Sequence, residues 1–188
     1  MTELRAPVIV TRNEWGAEAF RGELVVQPRY DNLVIHHAAG FLAGELEASK
    51  HQMRDIQKLH QDTNGWDDIG YHFLLDGAGT VFQGRPFVPD SGLEERPDLV
   101  VGAHVARQNT GKIGICVLGC YHPEETDCDN EVTPAILESV VSLASFLCRQ
   151  YEIDASAIKG HRDFKETACP GSKLYVLLDE IRDRVAGR

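Results

Sequence analysis

The sequence predicts an α/β fold in which a central mixed β-sheet, mostly parallel with one antiparallel hairpin, is flanked by helices. Short apolar runs alternate with longer segments of helical periodicity along the 188 residues, an order typical of a sheet covered by helices. Residues 71–75 and 80–82 are apolar runs separated by Asp-Gly-Ala-Gly, which indicates the hairpin. The length suits a single domain over residues 1–188, without an internal repeat or linker.

The predicted strands are short and apolar. The strand over residues 31–36 is expected near the centre of the sheet, because it contains a continuous Leu-Val-Ile run. Side chains alternate along a strand, so His36 and His37 are predicted on opposite faces, and only one of them can face a given site. The full set of predicted strands is residues 8–10, 31–36, 71–75, 80–82, 113–118 and 158–160.

Three helices are predicted from apolar stripes at helical spacing. Thr133 and Pro134 supply a cap and a first-turn proline for the second helix. Residues 84–100, rich in Pro, Glu and Asp, are predicted to be an exposed excursion, and residues 121–132 an acidic loop. The predicted helices and their inward-facing residues are 45–61 with Leu46, Met53, Ile56 and Leu59, 133–151 with Ile136, Val140, Leu143 and Leu147, and 173–186 with Leu174, Leu177, Leu178 and Ile181.

The charge and hydropathy of the chain argue against two classes of binding partner, nucleic acids and membranes. A formal net charge of −10 argues against a nucleic acid, because phosphate binding requires a basic surface. An anionic membrane is disfavoured for the same reason, and no apolar run approaches the roughly 20 residues that span a bilayer. The first residues lack the hydrophobic core of a signal peptide, which predicts synthesis in the cytoplasm.

The five cysteines show no regular framework. Their odd number and the lack of a Cys-x-x-Cys pair favour a reducing compartment over a disulfide-stapled secreted protein. Four of them are therefore expected to be reduced and not to bind metal, namely Cys116, Cys120, Cys128 and Cys148.

Cys169 is different because it follows His161 in a segment that ends in Pro-Gly. Imidazole nitrogen and thiolate sulfur are both zinc ligands, and His36 is a third candidate at the end of a buried strand. From these residues alone, a metal site and ordinary packing roles both stay open. Cys169 can be a small core residue, and His36 can be a buried histidine with a backbone partner.

Six motifs occur in one order along nearly the whole chain. They are Thr-Arg-Asn-Glu-Trp-Gly (11–16), Leu-Val-Ile-His-His-Ala-Ala-Gly (33–40), Gly-Trp-Asp-Asp-Ile-Gly-Tyr-His-Phe-Leu (65–74), Gly-Arg (84–85), Gly-Ala-His (102–104), and the segment 160–171. Together they resemble the zinc-dependent N-acetylmuramoyl-L-alanine amidases of the type-2 amidase and peptidoglycan recognition protein (PGRP) superfamily. The resemblance implies one Zn²⁺ per chain and hydrolysis of the amide bond between N-acetylmuramic acid and L-alanine in peptidoglycan or muropeptides. We expect a monomer.

The resemblance also assigns roles to individual residues. It implies His36, His161 and Cys169 as metal ligands, a set that leaves the fourth zinc position open as in catalytic sites. Tyr71 matches the tyrosine beside the metal, and Thr167 matches a threonine or lysine of active relatives, so both hydroxyls can donate to an oxyanion. No residue stands out as the general base. For the substrate groove the resemblance implies His37, His60, Asn64, His104 and Asn109, with a structural role equally open for His37.

The intact ligand set, with Tyr71 and Thr167, favours catalysis over a non-catalytic peptidoglycan-binding module. A zinc hydrolase for another amide, with the same metal site and a changed groove, stays open. Residues 86–101 fall where relatives sort diaminopimelate from lysine stem peptides, so that preference is left open. The biological setting is open as well. A phage endolysin with antimicrobial action, a cytoplasmic enzyme that recycles muropeptides and an exported effector all fit the sequence.

Overall fold

The computed structural model describes residues 5–124 and 127–187, and its centre is a mixed sheet of six strands. Over these residues there are eight strands in all, six in the main sheet and two in a second one. They are β1 (Ile9–Val10), β2 (Asn32–His37), β3 (Phe73–Leu75), β4 (Val81–Gln83), β5 (Phe87–Val88), β6 (Asp98–Leu99), β7 (Lys112–Val117) and β8 (Ile158–Gly160). The order across the main sheet is β1-β4-β3-β7-β2-β8, with β3 and β4 forming the predicted antiparallel hairpin. β2 runs parallel to both of its neighbours, β7 and β8. β5 and β6 pair in a separate antiparallel sheet.

Helices flank the main sheet, as predicted. They are α1 (Arg12–Trp15), α2 (Leu46–Lys58), α3 (Pro134–Gln150), α4 (Ser172–Tyr175) and α5 (Leu178–Ala186). α2 continues as a π-helical turn over Leu59–Thr63, and 3₁₀ turns occupy Leu93–Glu95, Ala155–Ala157 and His161–Asp163. The predicted cap of α3 is confirmed, because the Thr133 hydroxyl accepts a hydrogen bond from the Ile136 amide at 3.3 Å. Within the described residues, no helix combines the length and apolar character needed to cross a membrane.

Two apolar cores form on opposite faces of the sheet. Leu33 and Ile35 of β2 belong to the core that α3 and α5 cover. Cys116, the cross-strand partner of His36, belongs to the other core with Trp15 and with Met53 of α2. The predicted alternation along β2 is therefore confirmed, and the two histidines of the doublet point to different sides of the sheet.

The prediction that residues 84–100 form an exposed excursion is wrong. Phe87, Leu93 and Leu99 are each no more than 5% exposed and join the core beneath α3. Residues at the end of α3 hold this segment, since Tyr151 donates through its hydroxyl to the Pro97 carbonyl at 2.7 Å. The acidic residues of the segment are exposed, and they dominate its composition although the widely spaced apolar residues decide the fold.

The expectation that Cys120 and Cys128 are reduced is also wrong, because they form a disulfide. The loop folds back on itself through a bridge between Tyr121 and Asp129, which brings the two cysteine Cα atoms to 4.7 Å. The odd number of cysteines therefore did not exclude a disulfide between two nearby cysteines. The cysteine count is no longer an argument for a reducing compartment. Cys116 and Cys148 are free, as predicted.

Two helix predictions need correction. The last helix is interrupted between α4 and α5, where the Leu177 amide bonds to the Leu174 carbonyl in a tighter turn. Leu46 of α2 and Leu59 of the π-helical turn are more than 40% exposed, whereas Ser49 and Gln57 of α2 are buried. The buried face of α2 is partly polar because these two side chains donate to buried carboxylates, those of Asp76 at 2.7 Å and Asp68 at 2.6 Å.

Candidate functional site

The sheet brings two of the predicted metal ligands together. β2 and β8 are parallel neighbours, so their carboxyl ends lie at the same edge of the sheet. His36 lies at the carboxyl end of β2, and His161 follows β8 directly. The segment after His161 then turns back and adds Cys169. One ligand atom from each of these three residues lies within 4.8 Å of the others.

His36 is the most deeply buried of the three ligands, at 1% exposure. Its Nδ1 lies 3.6 Å from the Cys169 Sγ, and its Nε2 lies 2.9 Å from the Nδ1 of His104. The rings of His36 and His161 have centroids 4.5 Å apart. His36 therefore presents one nitrogen to the other ligands and uses the second to contact the protein behind it.

The cluster fits a zinc ion by its chemistry and by one unsatisfied atom. The Nε2 of His161 is buried and has no hydrogen-bond partner in the part of the chain that the structure describes. An unpaired buried nitrogen is costly unless something else satisfies it, and a metal ion can do so. Two imidazoles and one thiolate are the donor set of a catalytic zinc site with an open fourth position.

The segment between His161 and Cys169 is held by its own hydrogen bonds. The Asp163 carboxylate accepts from the Gly160 amide at 2.8 Å and from the Tyr175 hydroxyl at 2.6 Å. The Arg162 amide donates to the Cys169 carbonyl at 3.1 Å. This bond connects the residue after one ligand directly to the other ligand.

Arg162 and Tyr121 complete the attachment of this segment. The Arg162 guanidinium donates to the Ala168 carbonyl and stacks on the Tyr175 ring at 4.6 Å. On the other side, Gly171 packs so closely that a Cβ there would lie 2.3 Å from the Tyr121 carbonyl oxygen. Glycine is required at this point both by the contact and by its φ of +88°.

Burial sets the protonation states of the three ligands. It lowers the pKa of His36 well below its ordinary value, with His104 and His161 adding to the effect. Burial also lowers the pKa of His161, and Lys165 adds to that shift. Both rings are therefore neutral near neutral pH, which is the form that binds a metal. Burial raises the pKa of the Cys169 thiol to about 12, so a metal must displace its proton.

Tyr71 and Thr167 lie beside this cluster. The Tyr71 ring centroid is 5.1 Å from that of His36. Burial raises the pKa of Tyr71 well above its ordinary value, and Cys116 and Cys169 add to the shift, so the hydroxyl stays protonated. The Thr167 Oγ1 accepts from the Cys169 amide at 3.2 Å, which leaves its own hydrogen free to donate.

Tyr71 does not share a strand face with Phe73 and Leu75, although strict alternation along the predicted strand 71–75 would place it there. β3 begins only at Phe73, so the alternation does not extend back to Tyr71. Its ring packs instead against the core that contains Leu74. This placement brings Tyr71 to the same side of the sheet as His36.

Two of the predicted groove residues belong to the π-helical turn near Tyr71, His60 buried at 7% exposure and Asn64 at its end. His60 lies in the π-helical turn, its ring centroid 5.8 Å from that of Tyr71 and 4.7 Å from that of Trp66. Its Nδ1 accepts from the Gly70 amide at 3.0 Å, which leaves an N–H at Nε2. Asn64 ends the same turn and is exposed.

The other three predicted groove residues are engaged with the protein. The His37 Nδ1 accepts from the Tyr121 amide at 3.3 Å on the far side of the sheet. His104 is 6% exposed, and each of its ring nitrogens has a partner. The Asn109 side chain accepts from the His104 amide at 2.8 Å. Substrate contact by these residues stays a prediction.

Comparison with known proteins gives a consistent result. The family described as Amidase_2, N-acetylmuramoyl-L-alanine amidase, matches residues 27–172. Peptidoglycan-recognition protein SC2 of Drosophila simulans is 33% identical over 93% of this chain and 84% of its own length.

The chain belongs to the Amidase_2 family.

Two further Amidase_2 relatives extend the comparison. The N-acetylmuramoyl-L-alanine amidase of Homo sapiens is 31% identical over 93% of this chain, which spans 28% of that protein. A chain from the crystal structure of tracheal cytotoxin bound to the ectodomain complex of peptidoglycan recognition proteins LCa and LCx superposes with a TM-score of 0.77. It is 28% identical, and the match covers 93% of this chain and 96% of that one. The fold class predicted from the sequence is therefore confirmed.

The residues that hold the three candidate ligands in place were not identified from the sequence. Arg162 and Asp163 stand directly after His161, and their charges in a glycine-bounded segment were the available signal. Tyr121 and Tyr175 gave no signal, because their contacts join parts of the chain that are distant in sequence. Gln27 was missed for the same reason. It bonds to the loop that carries His104.

Proposed function

We propose that this chain is a zinc-dependent amidase that hydrolyses the bond between N-acetylmuramic acid and L-alanine in peptidoglycan or its soluble fragments. The observation that carries the proposal is the cluster of His36, His161 and Cys169 with the Tyr71 ring against it. A binding module has no need of three metal ligands beside two hydroxyl donors. Metal-assisted hydrolysis of an amide uses both.

Each residue of the cluster has a part in this chemistry. His36, His161 and Cys169 hold the ion, which when bound activates water near neutral pH and polarises the amide carbonyl. The protonated Tyr71 hydroxyl donates to the oxygen on which negative charge develops, and the Thr167 hydroxyl can do so from the Cys169 side. In this role Tyr71 is a hydrogen-bond donor, because its raised pKa opposes loss of the proton.

The substrate is placed by the surface that leads away from Tyr71. The Nε2–H of His60 and the exposed carboxamide of Asn64 offer donors for the carbonyls and hydroxyls of a glycopeptide. The Trp66 ring, stacked on His60, offers an apolar face for a sugar ring or a methyl group. Binding of tracheal cytotoxin in a complex of two peptidoglycan recognition proteins supports a muropeptide as the ligand.

Digestion of purified peptidoglycan with the zinc-loaded protein tests the proposal. Mass spectrometry should detect stem peptides that begin with a free L-alanine. The parallel samples contain Cys169→Ala, which removes a ligand, Tyr71→Phe, which keeps all three ligands, and His51→Ala, an exposed histidine on α2. We expect no peptides with Cys169→Ala, a rate lower by about a hundredfold or more with Tyr71→Phe, and no change with His51→Ala.

Two outcomes would overturn the proposal in different ways. Retained muropeptide binding with intact substrate at saturating zinc would indicate a recognition module. Neither binding nor cleavage of muropeptides, with zinc-dependent cleavage of another amide, would indicate a hydrolase whose groove has changed.

A further inference from the structure

We propose that His104 is a positioning residue that fixes the tautomer and the ring orientation of His36, so that His36 presents Nδ1 to the metal. The inference rests on the proposed zinc site and goes beyond it, because it assigns the work of orienting a ligand to a residue outside the ligand set. His104 then acts through His36 and does not contact the substrate.

A chain of three hydrogen-bonding groups carries the inference. The carbonyl oxygen of Lys112 can only accept, so the His104 Nε2, 3.3 Å away, must be the N–H donor. A neutral imidazole has one donor and one acceptor nitrogen, so the His104 Nδ1 is an acceptor. The His36 Nε2, 2.9 Å from it, therefore carries the hydrogen. The lone pair of His36 is left on Nδ1, 3.6 Å from the Cys169 Sγ.

The Lys112 carbonyl, the first group in this series of hydrogen bonds, is itself held in place. The Lys112 carbonyl accepts a second hydrogen bond, from the Gln27 side chain at 3.1 Å. The Gln27 Oε1 accepts from the Gly111 amide at 2.7 Å, so this buried side chain is bonded at both ends. The acceptor that sets the His104 tautomer is therefore held by a buried amide and is not free to rotate away.

The backbone and ring of His104 are held as well. The Asn109 Oδ1 accepts from the His104 amide at 2.8 Å and from the Val105 amide at 2.7 Å. Two glycines border the ring. A Cβ at Gly114 would lie 2.7 Å from the His104 Cγ, and a Cβ at Gly102 would lie 2.5 Å from the Cδ2. The ring thus occupies a slot that exists only because both positions lack a side chain.

Strand register explains why this slot lies behind the ligand. Gly114 of β7 pairs with Val34 of β2, two residues before His36, so the gap left by Gly114 opens on the same face as the His36 ring. The rings of His104 and His36 meet edge to face, with centroids 5.0 Å apart. His104 fills the gap in the sheet surface directly next to the ligand.

A direct substrate role would break this arrangement. Both ring nitrogens of His104 are in use, and the residue is 6% exposed. Contact with a substrate through either nitrogen would remove the bond to His36 or the bond to Lys112. Partners that orient metal-bound histidines typically change metal affinity 10–100-fold when they are removed.

Two amide substitutions separate the role of each nitrogen. His104→Asn can place its Oδ1 where the Nδ1 acceptor stands, whereas His104→Gln reaches the position of Nε2 and leaves Nδ1 without a replacement. His72→Asn is the matched control, since His72 is a buried neighbour of His104 whose two ring nitrogens bond to backbone groups, the Gly114 amide and the Val100 carbonyl. Circular dichroism and thermal unfolding identify any variant that does not fold.

The readouts are the Zn²⁺ dissociation constant from chelator competition and the tautomer of His36 from nitrogen-15 NMR of the metal-free protein. We expect the Nε2–H tautomer of His36 in the wild type. His104→Gln should weaken zinc binding about 10–100-fold and mix the tautomers. His104→Asn should stay within a few-fold of the wild type.

Three results would overturn the inference. They are an Nδ1–H tautomer of His36 in the wild type, equal losses of zinc affinity in His104→Asn and His104→Gln, or a loss in His72→Asn as large as in His104→Gln. The NMR result needs no metal and no substrate, so it stands apart from failure of the proposed amidase activity.

Discussion

The two sides of the candidate zinc site are held by different means. On the strand side, His36 is 1% exposed, lies in a six-residue strand paired on both edges, and is bonded to a buried neighbour. On the loop side, His161 and Cys169 are only half-buried, and a short segment with 3₁₀ and irregular structure carries them. The fold as a whole fixes the first ligand, whereas a few local contacts fix the other two.

This difference between the strand side and the loop side indicates which part of the site is ordered by metal binding. The strand ligand is in place before the metal arrives, since its position follows from the register of β2 and β7. The loop ligands depend on contacts through Arg162, Asp163 and Gly171, none of which belongs to the sheet. We therefore expect zinc to stabilise the loop side strongly and the strand side weakly.

Removal of a ligand from each side should give the largest effects and the clearest contrast. Both His36→Ala and Cys169→Ala should weaken zinc binding by more than about a hundredfold, because each removes a direct ligand. In the metal-free protein, His36→Ala should also lower the free energy of unfolding by about 1–3 kcal/mol, since it leaves the His104 Nδ1 unpaired in the core. Cys169→Ala should cost about 1 kcal/mol or less. Urea denaturation in a chelator measures both, and equal losses would contradict the contrast.

Adding one methyl group to each side sharpens the comparison. Gly114→Ala should destabilise the metal-free core by about 1–3 kcal/mol, because the new Cβ meets the His104 ring. Gly171→Ala should cost a similar amount through strain and contact with Tyr121, but mainly on the loop. Hydrogen exchange distinguishes the two, and only Gly171→Ala should expose the Arg162 amide that bonds to Cys169.

A third glycine serves as the control for this pair. Gly65 also has a positive φ, +68°, but nothing lies within 4 Å of its Cβ position. Gly65→Ala therefore carries the backbone strain without a clash. Loss of Arg162 amide protection in Gly65→Ala, or its retention in Gly171→Ala, would contradict the assignment.

The number of protons released on zinc binding reports the protonation states of the three candidate ligands in the metal-free protein. The pKa of Cys169 is raised to about 12, so its thiol is protonated in the metal-free protein and must release one proton. Burial lowers the pKa of His36 well below its ordinary value and also lowers the pKa of His161, so both rings carry less positive charge at about pH 6 than unperturbed histidines. Unperturbed histidines, with a pKa near 6.5, would release roughly one and a half protons more at that pH.

Calorimetry in buffers of different ionisation enthalpy measures this number. We expect between one and two protons at about pH 6, one of them from the thiol, and an apparent affinity that rises with pH because the metal displaces the thiol proton. Release of two protons or more at this pH would show that the imidazoles are charged before binding. The strand ligand would then not be in its binding form in the metal-free fold.

The smallest expected effect comes from a single loop hydrogen bond. Tyr175→Phe removes the bond to Asp163 but keeps the ring that stacks on Arg162. We expect a loss of about 0.5–1.5 kcal/mol in local stability of the loop and a few-fold weaker zinc binding. Tyr30→Phe is the control, because it also removes a tyrosine hydroxyl from a hydrogen bond, here one that the hydroxyl accepts from the Leu99 amide away from the site. A larger effect on zinc binding from Tyr30→Phe would contradict a local role.

Several features of the fold followed from the sequence because they depend on neighbours in the chain. The hairpin, the capped start of α3 and the opposite faces of His36 and His37 all follow from alternation, turn residues and caps. The ligand set came from the resemblance to known amidases, since a histidine and a cysteine in a loop do not by themselves specify a metal site. The structure brings these three residues together.

The features that the sequence did not reveal depend on tertiary register. Nothing local indicates that Gly114 faces Val34 and so makes room for His104 next to His36. The burial of Leu93 and Leu99 was hidden by the charged residues around them, and the Cys120–Cys128 disulfide by an odd cysteine count. In the first two cases the residue that makes the contact is distant in sequence. In the third, the disulfide depends on how the loop turns back on itself, which the amino-acid composition does not indicate.

The most direct test of the central claim is hydrolysis of a soluble muropeptide by the zinc-loaded protein in water enriched in heavy oxygen. Mass spectrometry locates the isotope in the products. The account predicts one heavy oxygen in the lactyl carboxylate of N-acetylmuramic acid and a free amine on L-alanine, with no product from Cys169→Ala. Intact muropeptide at saturating zinc, or heavy oxygen at any other bond, would contradict it.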